Sequence, residues 1–294
     1  MRNILNEIKL GFGNAHALYR LMLINIAVFL AIMLSRTLFF LFQLPTGFIG
    51  IAIYKLSLPS DFASILHQPW AFVTYMFLHQ EFFHILFNML VLYWLGKLFT
   101  EYLGNDKLWA TYILGGLSGA LLYVIAYNLF PAFASSGARL MGASAGVIAV
   151  MVAVATLLPD YTVFLLFFGP VRLKYVAIFS ILLYAISIPD GNAGGNIAHL
   201  GGALFGFIMI RQKKKGNDIT AWLEKLFKRN QKPRMKVASK KRAYNTETEY
   251  NEEKKNRQEM IDKILDKISQ SGYSSLSKEE KEILFKASKN IREE

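Results

Sequence analysis

Long apolar segments constrain this chain more than any other feature. Hydrophobic residues make up 53% of its 294 residues, charged residues make up 18%, and apolar runs dominate as far as Ile210. Backbone polar groups inside a bilayer must be hydrogen-bonded within the protein, so only helices and closed barrels span it. A helix of about 20 residues crosses a hydrocarbon core of roughly 30 Å. We therefore predict an all-α membrane domain followed by a polar tail.

Six segments are predicted to cross the membrane. In chain order they are 21–44, 82–103, 107–130, 140–158, 171–188 and 196–210. Residues 161–168 are predicted to lie along the inner surface, because Gly169-Pro170 interrupts this apolar run. The connection 45–80 is aromatic but has no continuous span, so we expect it at the interface, with Trp70 and Tyr75 as belt residues.

The distribution of basic residues predicts the topology. Residues 211–242 contain thirteen Lys or Arg and two acids. Such a cluster can bind nucleic acid, but directly after a membrane segment it is typical of a cytoplasmic anchor that meets anionic lipid head groups. We expect both termini in the cytoplasm and no nucleic-acid partner. The predicted division is a lead-in over 1–20, a membrane domain over 21–211, and a linker with a small helical tail over 212–294.

The tail is predicted to contain two short amphipathic helices. Apolar residues recur at helical spacing in the first of them, at Met260, Ile261, Ile264, Leu265 and Ile268. Ser277 and Glu280 form a capping-box pattern that opens the second helix, which continues through Phe285. The tail contains no catalytic pattern, so we expect a docking element or a small helical module.

Three predicted crossings carry polar residues near their starts. His84 and Asn88 begin the second crossing, Ser144 the fourth and His199 the sixth. Even-numbered crossings all run inward, so these residues lie at one depth near the outer surface. Histidine with an ordinary pKa near 6.5 can act as the base that activates a serine nucleophile. Topology therefore brings a serine and a histidine together on neighbouring helices.

The same helix starts offer donors for an oxyanion. The Ser144 N–H lies near a helix N-terminus, and His84 and Asn88 share one helix face because they are four residues apart. Such donors stabilise the transition state of acyl transfer. The crossings contain no acid placed to complete a triad, and Asp190 in the preceding loop is not assigned. The predicted site is a Ser144–His199 dyad that needs no metal or cofactor.

Glycines are predicted to let the crossings approach each other. Gly202 and Gly206 follow His199 on one face of the sixth crossing and should pack against the alanines and Gly142 of the fourth. Residues 142–146 also match the Gly-x-Ser-x-Gly nucleophile elbow of soluble hydrolases. That motif requires a strand–turn–helix context, and the predicted context here is a membrane helix, so we reject the match.

Together these motifs resemble the rhomboid family of intramembrane serine proteases. The resemblance covers about residues 65–210 and rests on Pro69-Trp70, Phe77-Leu78-His79, His84-x-x-x-Asn88, Gly142-Ala143-Ser144 and Ala198-His199-x-x-Gly202-x-x-x-Gly206. It implies a six-helix core that cleaves single-pass transmembrane substrates near the outer face, with both termini cytoplasmic, in a bacterial inner membrane.

The resemblance also implies residue roles. Ser144 matches the nucleophile, His199 the base, His84 and Asn88 the oxyanion partners, and His79 a supporting histidine. Two positions depart from the family pattern. Ala145 follows the nucleophile where many members have glycine, and Ile148 stands where an aromatic residue often packs under the histidine.

Other functions fit the sequence less well. A site-2-type metalloprotease needs histidines four residues apart, but His79 and His84 are five apart and leave the shared helix face. An aspartyl protease needs two aspartates within the crossings, which are missing. A transporter would have polar groups at the midplane. The remaining alternative is an inactive rhomboid-like protein that binds membrane helices, although such a protein would be expected to lose Ser144 or His199.

Overall fold

The fold was analysed in a computed structural model that describes residues 17–134, 137–165, 169–227, 247–277 and 279–284. The chain divides into two compact units, one up to Arg229 and one from Asn230. Most of the predicted lead-in, the basic linker over 228–246 and Phe285 lie outside the described residues.

The first unit is mainly helical. We number its α-helices in chain order as α1 Ala17–Leu41, α2 Gly47–Leu56, α3 Phe62–His67, α4 Ala71–Thr74, α5 Phe82–Leu103, α6 Asn105–Leu129, α7 Ser144–Leu157, α8 Leu173–Ile186, α9 Ala193–Lys214 and α10 Ala221–Phe227. Two antiparallel two-stranded sheets, absent from the all-α prediction, join β1 Leu58–Pro59 to β2 Arg139–Leu140 and β3 Thr162–Leu165 to β4 Gly169–Arg172.

Among the described residues, four helices are long and apolar enough to cross a membrane, namely α1, α5, α6 and α9. Helices α7 and α8 have 14 residues each, which corresponds to about 21 Å, less than the roughly 30 Å of a bilayer core. The helices α1, α6 and α9 differ from the predicted segments by a few residues at their ends, and α5 has the predicted bounds.

The connection over 45–80 is more structured than the sequence suggested. It contains α2, α3 and α4, and it exposes large apolar side chains on α2 at Phe48, Ile51 and Tyr54. Trp70 is half exposed, and its Nε1–H donates to the Lys55 carbonyl. The prediction for Tyr75 was wrong, because Tyr75 is fully buried and its hydroxyl donates to the Gly116 carbonyl at 2.7 Å.

The fourth crossing was predicted to begin at Leu140, but α7 begins at Ser144. Leu140 instead belongs to β2, which pairs with β1. Between β2 and α7, Gly142 has a φ of +128°, a backbone conformation that favours glycine. Its N–H donates to the Tyr75 carbonyl at 2.9 Å. Ser144 therefore follows a short strand and a turn, so the expectation of a helical context before the serine was wrong.

The segment after α7 forms a hairpin. Residues 162–165, within the segment predicted to lie along the inner surface, form a strand that pairs with residues 169–172. Gly169 has a φ of +69°, and Pro170 has no N–H to donate. These two residues disfavour a helix here, so α8 begins at Leu173 rather than at the predicted Val171.

The core is built where α6, α7 and α9 meet through small residues. A Cβ placed at Gly202 would lie 2.1 Å from the Ala145 carbonyl oxygen, and one at Gly206 would lie 2.2 Å from that of Ala149. Backbones therefore touch, which matches the predicted packing of these glycines against alanines. Gly142 does not take part in this contact, because its neighbour is the His84 ring.

The second unit contains one long helix, α11 Glu247–Ser271, followed by a helical segment over 279–284. The first tail helix is thus longer than predicted. The apolar residues of this helix differ in exposure: Ile264 is buried, whereas Met260 and Leu265 are about half exposed. The capping box is confirmed: the Glu280 N–H donates to Ser277 Oγ, and the Ser277 N–H donates to Glu280 Oε2.

Candidate active site

Ser144 and His199 are joined by a hydrogen bond. Ser144 Oγ lies 2.7 Å from His199 Nε2, although the two residues are 55 positions apart. Ser144 is the first residue of α7, and His199 lies in the second turn of α9. Gly202, three residues after His199, packs against Ala145, which directly follows Ser144, so the two helix backbones touch next to this hydrogen bond. Close packing of these helices therefore sets the distance between the serine and the histidine.

The second ring nitrogen of His199 has no hydrogen-bond partner. Nδ1 is buried, and within the described part of the chain no acceptor or donor meets it. The ring packs edge-on against Tyr184 of α8, with centroids 4.4 Å apart. The aromatic support that Ile148 does not supply thus comes from a different helix. No sequence signal pointed to Tyr184, because its contact depends on how α8 lies against α9.

His79 holds the turn that leads into Ser144. Its ring is fully buried, and Nε2 accepts a hydrogen bond from the Ala143 N–H at 3.3 Å. Burial, assisted by the nearby His84, lowers the pKa of His79 to about 4. The imidazole is therefore neutral at physiological pH and can accept this hydrogen bond. The supporting position predicted for His79 agrees with this contact.

His84 and Asn88 occupy different positions relative to the serine. The His84 ring packs edge-on against His79 with centroids 5.1 Å apart, and it lines the same cavity as Ser144. Asn88 is buried, and its Nδ2 donates to the His84 carbonyl at 2.9 Å. Asn88 is absent from the described lining of the cavity. The structure thus brings His84, but not the Asn88 amide, to the cavity wall.

Gly142 leaves open a small space between His84 and Ser144. A Cβ at this position would lie 2.8 Å from His84 Cε1, 3.1 Å from His84 Nε2 and 3.7 Å from Ser144 Oγ. Any larger residue would fill the space, and the positive φ also disfavours one. Gly142 is therefore part of the site itself rather than of the helix contact predicted for it.

A cavity of about 940 Å³ opens onto the dyad. Its lining combines polar and apolar side chains, including Glu81, Tyr123, Tyr127, Phe133, Arg139 and Ile188. Gly191 and Asn192, directly before α9, and Ala193–Gly195 in its first turn form part of the wall. In the described residues no group of His, Asp or Glu side chains is arranged to bind a metal ion.

Comparisons with known proteins agree with this architecture. A family model described as the Rhomboid domain matches residues 66–213, and one described as a family of unknown function matches residues 244–290. RHOMBOID-like protein 12, mitochondrial, from Arabidopsis thaliana is 32% identical over 155 residues, which cover 49% of this chain and 46% of that protein.

A second relative from the same plant gives a similar picture. RHOMBOID-like protein 1 of Arabidopsis thaliana is 29% identical over 143 residues, or 49% of this chain and 34% of that protein. The match with this chain thus spans less than half the length of either relative. The Rhomboid model nevertheless covers half of the chain, and this match together with the long apolar helices identifies a multi-pass membrane protein. The chain belongs to the rhomboid family.

Proposed function

We propose that the protein is an intramembrane serine protease that cleaves single-pass transmembrane proteins near the outer membrane face. The observation that carries this proposal is the 2.7 Å hydrogen bond between Ser144 Oγ and His199 Nε2 beside a cavity. A nucleophile within hydrogen-bond distance of a base is the geometry that activates a serine.

The proposed reaction follows from this pair. His199 Nε2 takes the hydroxyl proton as Ser144 Oγ attacks the scissile carbonyl carbon. The protonated imidazole then donates that proton to the leaving amine, which breaks the peptide bond and leaves an acyl-serine. A water molecule, deprotonated by His199, hydrolyses the ester and restores the serine. Because His199 Nδ1 meets no acid in the described residues, the mechanism is that of a dyad.

The oxyanion would form in the space beside Gly142. The would-be Cβ position there lies 3.1 Å from His84 Nε2 and 3.7 Å from Ser144 Oγ, so both atoms border the same small volume. The Ser144 N–H is at the first position of α7, where backbone donors have no intrahelical acceptor. We assign the His84 ring N–H and the Ser144 backbone N–H as the donors to the oxyanion. Asn88 would stabilise the oxyanion less, since its amide donates to the His84 carbonyl.

We further propose that six helices cross the membrane, with α7 and α8 as short crossings. Nearly every residue of α7 is buried, so its length need not match the lipid. Irregular backbone at membrane depth is tolerated where it lies inside protein or lines a cavity. The segment 140–143 before α7 meets this condition, because Leu140, Gly142 and Ala143 are buried. Ser144 would then lie below the outer surface, where the cavity supplies water.

The proposed orientation has both described ends of the membrane domain on the cytoplasmic side. Arg211, Lys213 and Lys214 stand at the end of α9, as the positive-inside rule expects of a cytoplasmic end. We propose the bacterial inner membrane as the location and the lipid bilayer as the immediate partner. The relative whose name includes "mitochondrial" indicates that the family also occupies other membranes.

Labelling with a fluorescent phosphonate tests the protease proposal. Such reagents react with activated serines, so purified wild-type protein should be labelled, and Ser144→Ala and His199→Ala should not be. Ser180→Ala is a matched control, because this membrane serine only donates to the Val176 carbonyl of its own helix. Its labelling should equal that of the wild type. Folded wild-type protein that fails to label would contradict the proposal and favour a protein that binds membrane helices without cleaving them.

A further inference from the structure

The cavity beside the dyad contains two charged side chains among its described lining residues, Glu81 and Arg139. Charges at the wall of a cavity select the charge of what enters, because low-dielectric walls focus their field. The two side chains differ in whether their charged groups already make hydrogen bonds or ion pairs within the protein.

Arg139 is bound to the protein. Its guanidinium donates to the Tyr54 carbonyl, to the Ser57 carbonyl at 3.1 Å and to Ser57 Oγ at 3.2 Å. The guanidinium carbon also lies 3.3 Å from the centroid of the Tyr54 ring. These contacts tie β2 to the last turn of α2 and to Ser57, which follows it. The charge of Arg139 therefore serves the fold and is little available to a ligand.

Glu81 has no such partner. It is exposed at the start of α5, its side chain makes no capping hydrogen bond, and no cation of the described residues forms a salt bridge with it. Its carboxylate is close enough to interact electrostatically with His84, which stands three residues later. Glu81 thus presents the one carboxylate in the described lining of the catalytic cavity.

We propose that Glu81 selects substrates with a lysine or arginine close to the scissile bond. A basic side chain entering the cavity would form a charge-assisted hydrogen bond with the carboxylate. An acidic side chain would meet repulsion there, and an apolar one would desolvate the carboxylate without compensation. This inference rests on the proposed protease function and adds the substrate class to it.

The test uses a model transmembrane substrate whose scissile bond is fixed. Each flanking residue is replaced in turn by Lys, Gln or Glu, and kcat/KM is measured for the wild type, Glu81→Gln and Glu81→Lys. At one or more positions, the wild type should prefer Lys to Gln by about two- to fivefold, as expected for a partly exposed ion pair. Glu81→Gln should abolish this preference, and Glu81→Lys should reverse it in favour of Glu.

Two controls separate charge selection from other effects. Asp190→Asn removes an acid from the loop before α9 that is absent from the described cavity lining, and this variant should retain the Lys preference. Raising the salt concentration to about 1 M should weaken the preference, because charges are then screened within about 3 Å. If Glu81 served only to influence His84, Glu81→Gln would change the cleavage of all three substrates by the same factor.

The outcomes distinguish this inference from the protease proposal. Equal cleavage of the Lys, Gln and Glu substrates at every position, or a Lys preference that survives in Glu81→Gln, overturns the inference alone. If wild-type protein cleaves no substrate and Ser144 is not labelled by the phosphonate, the protease proposal falls and the inference falls with it.

Discussion

Two polar clusters interrupt the apolar bundle, and they differ in whether their polar atoms are satisfied. Lys107, near the start of α6, is almost fully buried, and its ammonium donates to Asp218, Thr220 and Glu224. An ammonium has three protons, so this group is fully used. His199, in contrast, keeps a buried Nδ1 that meets no partner among the described residues, and it faces a large cavity together with Ser144.

This contrast distinguishes a cluster that stabilises the fold from the candidate functional cluster in the same chain. The Lys107 cluster joins α6 to α10 and to the loop before it, and its ion pairs occupy the ammonium of Lys107. The dyad leaves polar groups open to a cavity, at a stability cost that is tolerated where a substrate uses them. We therefore expect mutations in the two clusters to separate stability from activity.

The largest effect is expected at the proposed oxyanion donors. His84→Ala should lower the rate of phosphonate labelling and of cleavage by about a hundredfold or more, the usual loss for one oxyanion donor. Asn88→Ala should lower them by about tenfold, because its amide bonds the His84 carbonyl and lies outside the cavity lining. Single-turnover rates at matched folded fraction measure both. A larger loss for Asn88→Ala than for His84→Ala would contradict the assigned roles.

Gly202→Ala should damage both activity and stability. Its Cβ would lie 2.1 Å from the Ala145 carbonyl oxygen, so α9 and α7 must separate. We expect a loss of about 1–3 kcal/mol in unfolding free energy, typical of overpacking, and slower labelling as the dyad distance grows. Gly50→Ala is the control, because nothing lies within 4 Å of its would-be Cβ. A fully stable Gly202→Ala protein would show that this contact is looser than described.

Lys107→Met should lower stability and leave the chemistry intact. It removes the cation that three side-chain oxygens share. We expect a loss of about 1–3 kcal/mol, below the cost of breaking a fully buried pair, because Asp218 is partly exposed and can be hydrated. Thermal unfolding in detergent measures this loss, with the exposed Lys97→Met as the control. Labelling of the folded fraction should match wild type, and a loss of labelling would show that the clusters are coupled.

The smallest effect is a dependence of stability on acid pH. Burial alone would raise the pKa of Asp218, but hydrogen bonds from Lys107 and Thr220 hold this pKa at about 2, below the ordinary 3.8. Because the folded-state pKa is the lower one, this stabilisation is present above pH 4 and is lost as the pH falls towards 2. We expect less than about 1 kcal/mol, since the carboxyl is partly exposed to solvent.

Comparison of the wild type with Asp218→Asn isolates the pH-dependent stabilisation that comes from Asp218. Unfolding free energies measured by denaturant titration from pH 5 to pH 2.5 should converge for the two proteins as the pH falls. A difference that stays constant over this range would exclude the titration of Asp218 as its source.

Several features of the site could be predicted because they depend on residue type and local spacing. The starts of the even-numbered crossings placed Ser144 near His199, and the small residues Gly202 and Gly206 indicated a close helix contact. Other features had no local signal. Tyr184 reaches His199 from a different helix, and Lys107 meets acids more than 100 residues away.

The prediction from sequence was wrong where the structure depends on hydrogen bonds between residues far apart in the chain. Apolar residues run from Leu140 through Leu158, so the segment was predicted as one helix. In the structure, pairing of β2 with β1 and the bond from the Gly142 N–H to Tyr75 replace helical hydrogen bonds in the first part of this segment. Hydropathy cannot distinguish a helix from a strand when both are buried.

The amino-acid sequence is enough to identify the segments that are apolar enough to enter a membrane, the residues that could act as nucleophile and base, and the glycines that permit close packing. These properties reside in single side chains and in their periodicity. Tertiary structure alone decided the 2.7 Å approach of Ser144 to His199, the turn at Gly142 and the cavity that exposes Glu81. Distances between residues far apart in the chain depend on how helices pack, and packing sums many weak contacts that no local pattern encodes.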